Sequence, residues 1–371
     1  MVAKKESADR LRILMIGPLP PPTGGARVLF KNLIDCLATR NDVGLTVVDT
    51  PPVRRHKFRS LLQVTAQVAR ILCASRKADV IALHTTTSAL HVRGPFIRLV
   101  ARICRIPFLI HTFGGELYRR DYGPVRSAAI GSTLRAAACY LAESREQVEH
   151  AQADGVQQVQ WFPNTRRLPR LDRAVSGARP RCRRFVFISH VKETKGIREI
   201  IEAGERLGAD VVVDVYGPFR EGMTESIFDT CRRVRYRGEL APDQVTDTLR
   251  RYDALLLPTY HPGEGYPGIV IEAYMVGLPV ITTRWRRLPE IVDERSGILI
   301  EPRDARALHD AMQQMVNDPR LFEQLREGAL ERRRDFDTDV WVERFVALCR
   351  KAVECTGPIG ARANAIGGTH E

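Results

Sequence analysis

The feature that most limits what this chain can fold into is an alternation kept up over most of its length. A short apolar run is followed by a glycine-bearing or polar turn, and then by an amphipathic helical stretch. Such short runs read as strands buried on both faces. Strands that alternate with helices need crossover connections, which makes the sheets parallel. In the front half, strands are expected at 12–17, 44–49, 79–84, 107–112, 139–142 and 157–162, with helical periodicity between them at 27–38, 60–75 and 96–105. From 165 to 184 the alternation stops: the segment carries Pro, Gly and eight arginines without apolar periodicity, as a linker does. It resumes with strands at 185–189, 211–216, 235–238, 254–258, 279–283 and 297–300, and helical stretches beginning near Gly196, Thr224, Pro242 and Gly268. Residues 304–354 read as three helices in series, and 356–371, rich in Gly, Ala and Thr, as a disordered tail.

The fold class this implies is α/β, with two Rossmann-like, doubly wound parallel-sheet domains. The expected divisions are an N-terminal domain at 1–164, a basic linker at 165–184, a second domain at 185–336 and a closing helix at 337–355. A chain of 371 residues, 44% of them apolar, is long enough for two cores. In open parallel sheets ligands bind beyond the carboxyl ends of the strands, so chemistry is sought there.

Composition narrows the partners. No run approaches the about 18 apolar residues of a membrane span, and the start MVAKKESADR has no signal-peptide core, so a cytoplasmic protein is expected. Eight scattered cysteines, without CxxC or zinc-finger spacing, are expected to be reduced and mostly buried. The net charge of +13 is uneven: +11 over 1–164, +7 over 165–184 and −5 over 185–371. A field of that kind draws polyanions: nucleic acid, an anionic membrane surface or phosphorylated small molecules. Nucleic acid is disfavoured, because aromatics make up only 7% and none interleave with Lys and Arg as a stacking platform. Residues 54–77 set Phe58, Leu61, Leu62, Val68, Ile71 and Leu72 among basic residues clustered at both ends. That pattern suits a helix lying on an anionic bilayer, and equally an ordinary Rossmann helix with a solvated basic face. Arg93, Arg98, Arg102 and Arg105 add a second basic face.

Several strand ends carry candidate chemistry. After the first strand, GPLPPPTGGARVLF puts Gly24 and Gly25 at a helix start, where free amides face an anion. The segment has neither GxGxxG nor GK[ST], which argues against dinucleotide oxidoreductases and P-loop NTPases. The fourth strand ends in LIHTFGGELY, placing His111 before Gly114, Gly115 and Glu116. A histidine there would hydrogen-bond a sugar hydroxyl or orient an acceptor, although strand-end imidazoles often serve structure alone. His84, closing the third strand, is a weaker copy. The second domain opens FVFISHVKETKG, with Lys195 and Gly196 where a loop meets a helix start.

The most informative stretch is LLLPTYHPGEGYPGIVIEAYMVGLPVITT. A strand runs into a loop bearing Glu264, Gly265 and Pro267, then a helix starting at Gly268 and Ile269 and carrying Glu272. The spacing of the two glutamates is not distinctive, since Glu323 and Glu331 share it; their position is. Two acceptor-only carboxylates suit vicinal hydroxyls, and the free amides of Gly268 and Ile269 suit a diphosphate. Together they describe a nucleoside diphosphate sugar.

These residues bring a resemblance. EGYPGIVIEAYMVGLPVI, the Lys195–Gly196 pair, the early glycine pair, Pro163–Asn164, and RRLPEIV followed by SGILI resemble the family 4 retaining glycosyltransferases of GT-B fold. The likeness runs from Arg12 to about Val353. It implies two domains facing across a cleft, a UDP- or GDP-sugar donor, and a saccharide or lipid-linked saccharide acceptor in cell-surface polysaccharide biosynthesis. Transfer of a hexosyl or N-acetylhexosaminyl unit would proceed with retention and without a metal cofactor. By the same resemblance Glu264 contacts the transferred sugar, Glu272 holds the ribose hydroxyls, Lys195 binds the diphosphate, and His111 matches a cleft histidine near the reacting centre. The last helix would cross back onto the first domain. One position departs: the family commonly has Arg five residues before the Lys, and this chain has His190. A neutral imidazole donates one hydrogen bond where guanidinium offers several. Either His190 is protonated there, or Lys192 or an arginine within 284–287 supplies the charge. The competing expectations are a nucleotide-sugar epimerase or phosphorylase of similar architecture, and a non-catalytic basic binding protein.

Overall fold

Strands form where the apolar runs predict them, because a parallel strand covered by helices on both faces must be apolar nearly throughout. The computed structural model describes residues 10–21, 25–50, 57–114, 123–168 and 181–356, with backbone alone for 57–65. Gly24, Gly115, Glu116, the side chains of Phe58, Leu61 and Leu62, most of the expected linker and the tail beyond 356 lie outside what is described. The chain divides into two compact units, one of residues 1–162 and 339–371, the other of 163–338.

In the first unit β1 (Leu11–Gly17), β2 (Val43–Asp49), β3 (Val80–Thr86), β4 (Phe108–Phe113), β5 (Cys139–Ala142) and β6 (Val159–Trp161) form a sheet of order β2-β1-β3-β4-β5-β6. Every pairing is parallel. The crossovers are α1 (Gly25–Ala38), α2 (Lys57–Ser75), α3 (Thr87–Cys104), α4 (Pro124–Ala136) and α5 (Arg145–Ala153). Alternate strand residues feed opposite faces: Leu14, Ile16 and Ile110 join one apolar cluster, Ile13, Met15 and Leu109 the other. Helix α3 begins at Thr87, well before the expected 96, and runs through Pro95. Its buried face of Leu90, Gly94, Ile97, Val100 and Ala101 is continuous, and that packing outweighs the hydrogen bond a proline removes.

The second unit holds β7 (Arg184–Ile188), β8 (Val212–Tyr216), β9 (Val234–Tyr236), β10 (Ala254–Leu257), β11 (Val280–Thr283) and β12 (Gly297–Ile300), in the order β12-β11-β10-β7-β8-β9. These pairings are also parallel. Its helices are α6 (Ile197–Glu205), α7 (Val245–Leu249), α8 (Gly268–Met275), α9 (Leu288–Ile291), α10 (Ala305–Asn317) and α11 (Pro319–Arg332). Two expected helices are reduced. The stretch near Thr224 is a 3-10 turn, Glu225–Phe228, and that near Pro242 is a 3-10 turn leading into the short α7. Each offers few apolar anchors, Phe228 in one and Leu249 in the other, too few to hold a longer helix.

The final helix, α12 (Thr338–Thr356), contributes Trp341, Val342, Phe345, Val346, Cys349 and Ala352 to one core cluster of the first unit. That spacing is one helical face, and it packs with Phe30, Phe113 and Phe162. Of the eight cysteines only Cys36, Cys139, Cys182 and Cys349 are buried; Cys73 and Cys355 are exposed. Phe345 has no exposed surface. Phe345→Ala is therefore expected to cost about 3–5 kcal/mol, read as earlier denaturant unfolding and faster hydrogen exchange in β3 and β4. A loss under about 1 kcal/mol would mean that α12 is not part of this core.

Candidate active site

Strand order decides where the second unit can hold a ligand. The chain winds outward from β7 through β8 to β9, then returns to lay β10 on the other side of β7. The crossovers that follow β7 and β10 therefore run in opposite directions along the sheet, and the fork where they start is the usual ligand position in a doubly wound sheet. The β7 loop carries His190, Lys192, Thr194 and Lys195; the β10 loop carries Thr259, His261, Glu264 and Gly265, and ends at Pro267. The two loops are laced together. Tyr260 N donates to Thr194 O at 2.9 Å, and a Cβ on Gly196 would stand 2.3 Å from the Pro258 carbonyl oxygen, so only glycine permits the approach.

Across the lacing runs a buried ion pair. Lys195 Nζ donates to Glu264 Oε2 at 2.5 Å, with side chains 11% and 8% exposed. Thr259 Oγ1 donates to the same Oε2 at 2.7 Å. Among the described residues both contacts fall on one carboxylate oxygen, which leaves Oε1 as an acceptor and the ammonium with further donors.

The second glutamate is held by an arginine that the sequence reading passed over. Arg166 Nε donates to Glu272 Oε1 at 2.6 Å, with side chains 14% and 20% exposed, and Arg166 Nη1 donates to Thr165 O at 2.9 Å. The guanidinium lies against the first residue of α8: a Cβ on Gly268 would meet Nη2 at 2.3 Å. The backbone is pinned, with Arg166 N donating to Phe336 O at 2.9 Å and Thr338 N to Arg166 O at 3.0 Å. The neighbouring Asn164 Nδ2 donates to Tyr266 O at 2.7 Å, so Pro163–Asn164 anchors this strand-like segment to the β10 loop. No side chain caps α8 at Pro267; Val270 N bonds to Pro267 O, and the amides of Gly268 and Ile269 precede it at the positive end of the helix.

His190 lies in a basic neighbourhood. Burial, then Arg220, Lys195, Lys192 and His261, push its pKa below the usual histidine value. Burial and the same two lysines lower His261 as well. Lys192 Nζ lies 3.1 Å from Glu221 Oε1 and 3.2 Å from His261 Nδ1. Of the substitutes weighed for a missing arginine, Lys192 belongs to this neighbourhood, and Arg220 joins it from the β8 loop through the Arg220 N to Val191 O bond. Within 284–287, Arg284 approaches Glu301 instead.

The remaining candidates lie in the first unit. Gly25 opens α1, and a Cβ there would meet no atom of the described residues within 4 Å. His111 is 5% exposed, and strand register sets it directly beside His84. Their Nδ1 atoms are 3.0 Å apart, one donating and one accepting. Phe113 and Phe162 flank the His111 ring, Phe30 and Phe345 the His84 ring, and His84 Nε2 has no hydrogen-bond partner among the described residues. Burial drives His111 down to about 3, against the Phe162 backbone, and burial with His111 drives His84 well below the usual value. His111 thus belongs to a neutral, aromatic-walled pair, which sequence spacing alone does not show. Among the described residues no three His, Cys, Asp or Glu side chains gather as a metal site, and no helix is long and apolar enough to cross a membrane.

Because both histidines are neutral when folded and titrate near 6.5 when unfolded, they favour the folded state above pH 6.5. That advantage is lost as pH falls toward 3. The loss approaches about 1.4 kcal/mol per pH unit for each ring. A His84→Leu/His111→Leu double variant is expected to flatten the fall in unfolding free energy between pH 6.5 and 5. An unchanged slope in denaturant titrations would refute the assignment.

Comparison with known proteins bears on the family and the fold. Residues 19–165 match the family model described as glycosyl transferase 4-like domain, and 182–318 the model described as glycosyl transferases group 1. The D-inositol 3-phosphate glycosyltransferase of Corynebacterium diphtheriae is 25% identical over 210 residues, 53% of this chain and 49% of that one. The teichuronic acid biosynthesis glycosyltransferase TuaC of Bacillus subtilis is 31% identical over 129 residues, 34% of this chain and 31% of TuaC. The matched part thus spans half or less of these relatives. In fold, the crystal structure of Anabaena Alr3699/HepE in complex with UDP aligns with a TM-score of 0.69 at 16% identity, covering 92% of this chain and all of that one. Two matching models, one on each parallel-sheet unit, and a whole-chain fold likeness lead to one assignment: the chain belongs to the family 4, group 1 glycosyltransferases of GT-B fold.

Proposed function

We propose that the protein transfers a sugar from a nucleoside diphosphate sugar to a saccharide acceptor, with retention at the anomeric carbon. The observation that carries this is the pair of glutamates, each already paired with a cation, on either side of the uncapped start of α8. Glu272 would accept from the ribose hydroxyls and Glu264 Oε1 from the transferred sugar. Lys195 and the amides of Gly268 and Ile269 would take the charge that develops on the diphosphate as its bond to the sugar breaks. The acceptor oxygen bonds to the anomeric carbon on the face the diphosphate leaves, and its proton passes to the departing phosphate oxygen. The chain's own cations then do what a metal ion would otherwise do. The Anabaena protein crystallised with UDP supports a uridine donor, and TuaC supports polysaccharide synthesis as the setting.

The test has three parts. UDP or GDP should raise the thermal midpoint, a sugar nucleotide and saccharide should give product with the donor's anomeric configuration, and excess chelator should leave turnover intact. Glu264→Gln should lower turnover by about 100-fold or more while nucleotide binding persists. Stabilisation without turnover would favour a binding protein, and an altered sugar nucleotide without acceptor an epimerase.

The acceptor side rests on a surface of the first unit. Val92, Leu99 and Ile103 of α3 are 65%, 56% and 64% exposed, and at their spacing they share one helical stripe. Val125, 81% exposed, opens the neighbouring α4. Between residues 50 and 115 the sequence has 11 Lys and Arg against one acidic residue, Asp79. Apolar insertion beside unopposed positive charge fits an anionic bilayer, so the acceptor is assigned as lipid-linked and the protein as peripheral on the inner membrane face. Val92→Ser/Leu99→Ser/Ile103→Ser should reduce sedimentation with anionic vesicles severalfold and leave UDP binding unchanged. Equal sedimentation of variant and parent would end this assignment.

A further inference from the structure

Arg166 has no part in the roles carried over from the family, yet the residue is built into the site. Its backbone is bonded on both sides to 336–338, its Nε meets Glu272, its Nη1 meets the Thr165 carbonyl, and its Nη2 faces the start of α8. A planar guanidinium with five donors can hold a carboxylate by one edge and present another to a phosphate. Gly268 is what lets it come so close, since any Cβ there would collide with Nη2 at 2.3 Å. The place it reaches is the uncapped helix start, where the diphosphate is expected. His190, on the β7 loop among Lys192, Lys195 and Arg220, leaves the position of the family's usual arginine without a permanent cation.

On the reading that this site binds a nucleoside diphosphate sugar, we propose that Arg166 supplies the second fixed cation of the diphosphate grip. It does so while keeping its bond to Glu272, the expected ribose contact. Arg166 is then a specificity-determining residue for diphosphates over nucleosides, taking the place that an arginine at 190 would fill.

Calorimetry on the full chain with uridine, UDP, guanosine and GDP separates the contributions. For whichever base binds, the ratio of nucleoside to nucleoside diphosphate Kd measures what the diphosphate adds. In Arg166→Ala that ratio should fall at least tenfold, and Arg166→Lys, which keeps charge without the fork, should restore part of it. Glu272→Gln should weaken nucleoside and diphosphate in parallel, leaving the ratio near that of the parent. His190→Arg added to Arg166→Ala should recover the ratio, which a merely structural role for Arg166 would not permit. Thermal midpoints identify any variant that fails to fold, and Arg166→Gln then serves as the neutral substitute. An unchanged ratio in both Arg166→Ala and Arg166→Gln, or a parallel loss of nucleoside and diphosphate affinity, overturns the proposal. If the parent protein itself binds no nucleoside diphosphate, the glycosyltransferase reading fails before this one is reached.

Discussion

The Lys195–Glu264 ion pair is the contact on which the candidate site depends. Burying two charges costs several kcal/mol each, which mutual attraction returns only when geometry is good and the remaining valences are satisfied. Here Thr259 shares the carboxylate oxygen, and the loops bearing the two charges are fastened by Tyr260 N to Thr194 O and by the contact at Gly196. A hydrophobic pair of equal volume would hold those loops at least as well. What it would not do is keep a carboxylate and an ammonium at the fork between β7 and β10, positioned before any ligand arrives. Removing either partner leaves the other buried and unpaired, so both glutamate and lysine are constrained by packing as well as by chemistry.

The strands were legible because each had to be apolar across both faces, and in sequence such runs stand out against polar turns. The elements that were misjudged are those whose extent is decided by tertiary packing. Helix α3 passes through Pro95 because Leu90, Gly94 and Ile97 continue one buried face, and the stretch after Thr224 stays a 3-10 turn because Phe228 is its buried anchor. Glu264 and Glu272 were legible as a block of sequence. Arg166 was not, for a different reason: it is the first of eight arginines between 165 and 184, and nothing local separates it from the others. Bonds to Phe336, Thr338 and Glu272, all more than a hundred residues away, set it apart.

The two sheets place their polar residues differently, and topology accounts for that. In the second unit the order reverses between β7 and β10, so the charged side chains of the loops after these strands, Lys195 and Glu264 among them, meet at the fork. In the first unit the reversal lies between β1 and β3, and β4 sits beyond it. His84 and His111, on adjacent strands β3 and β4 in direct register, therefore meet inside the unit rather than at a fork. Phe30, Phe113, Phe162 and Phe345 wall the pair, and the two rings share one N–H between their Nδ1 atoms. A neutral pair can be buried at modest cost where a charged one could not, and the depressed pKa values express that selection.

His190 follows the same physics with the opposite consequence. Partial burial disfavours a positive charge on it, and its surroundings of Arg220, Lys195, Lys192 and His261 act in the same direction. An arginine at that position would stay charged whatever surrounded it, adding repulsion to a site already rich in cations. A histidine avoids that repulsion by readily losing its proton, and a diphosphate bound there would, by reversing the local field, favour its protonation. On the reading proposed above, Arg166 carries the fixed charge instead, and its bond to Glu272 offsets part of the repulsion that it would add. A histidine on the β7 loop and an already paired arginine at the start of α8 would then add less positive charge to this neighbourhood than two unpaired arginines, and in that way the proposal reconciles the departure at 190 with a donor site.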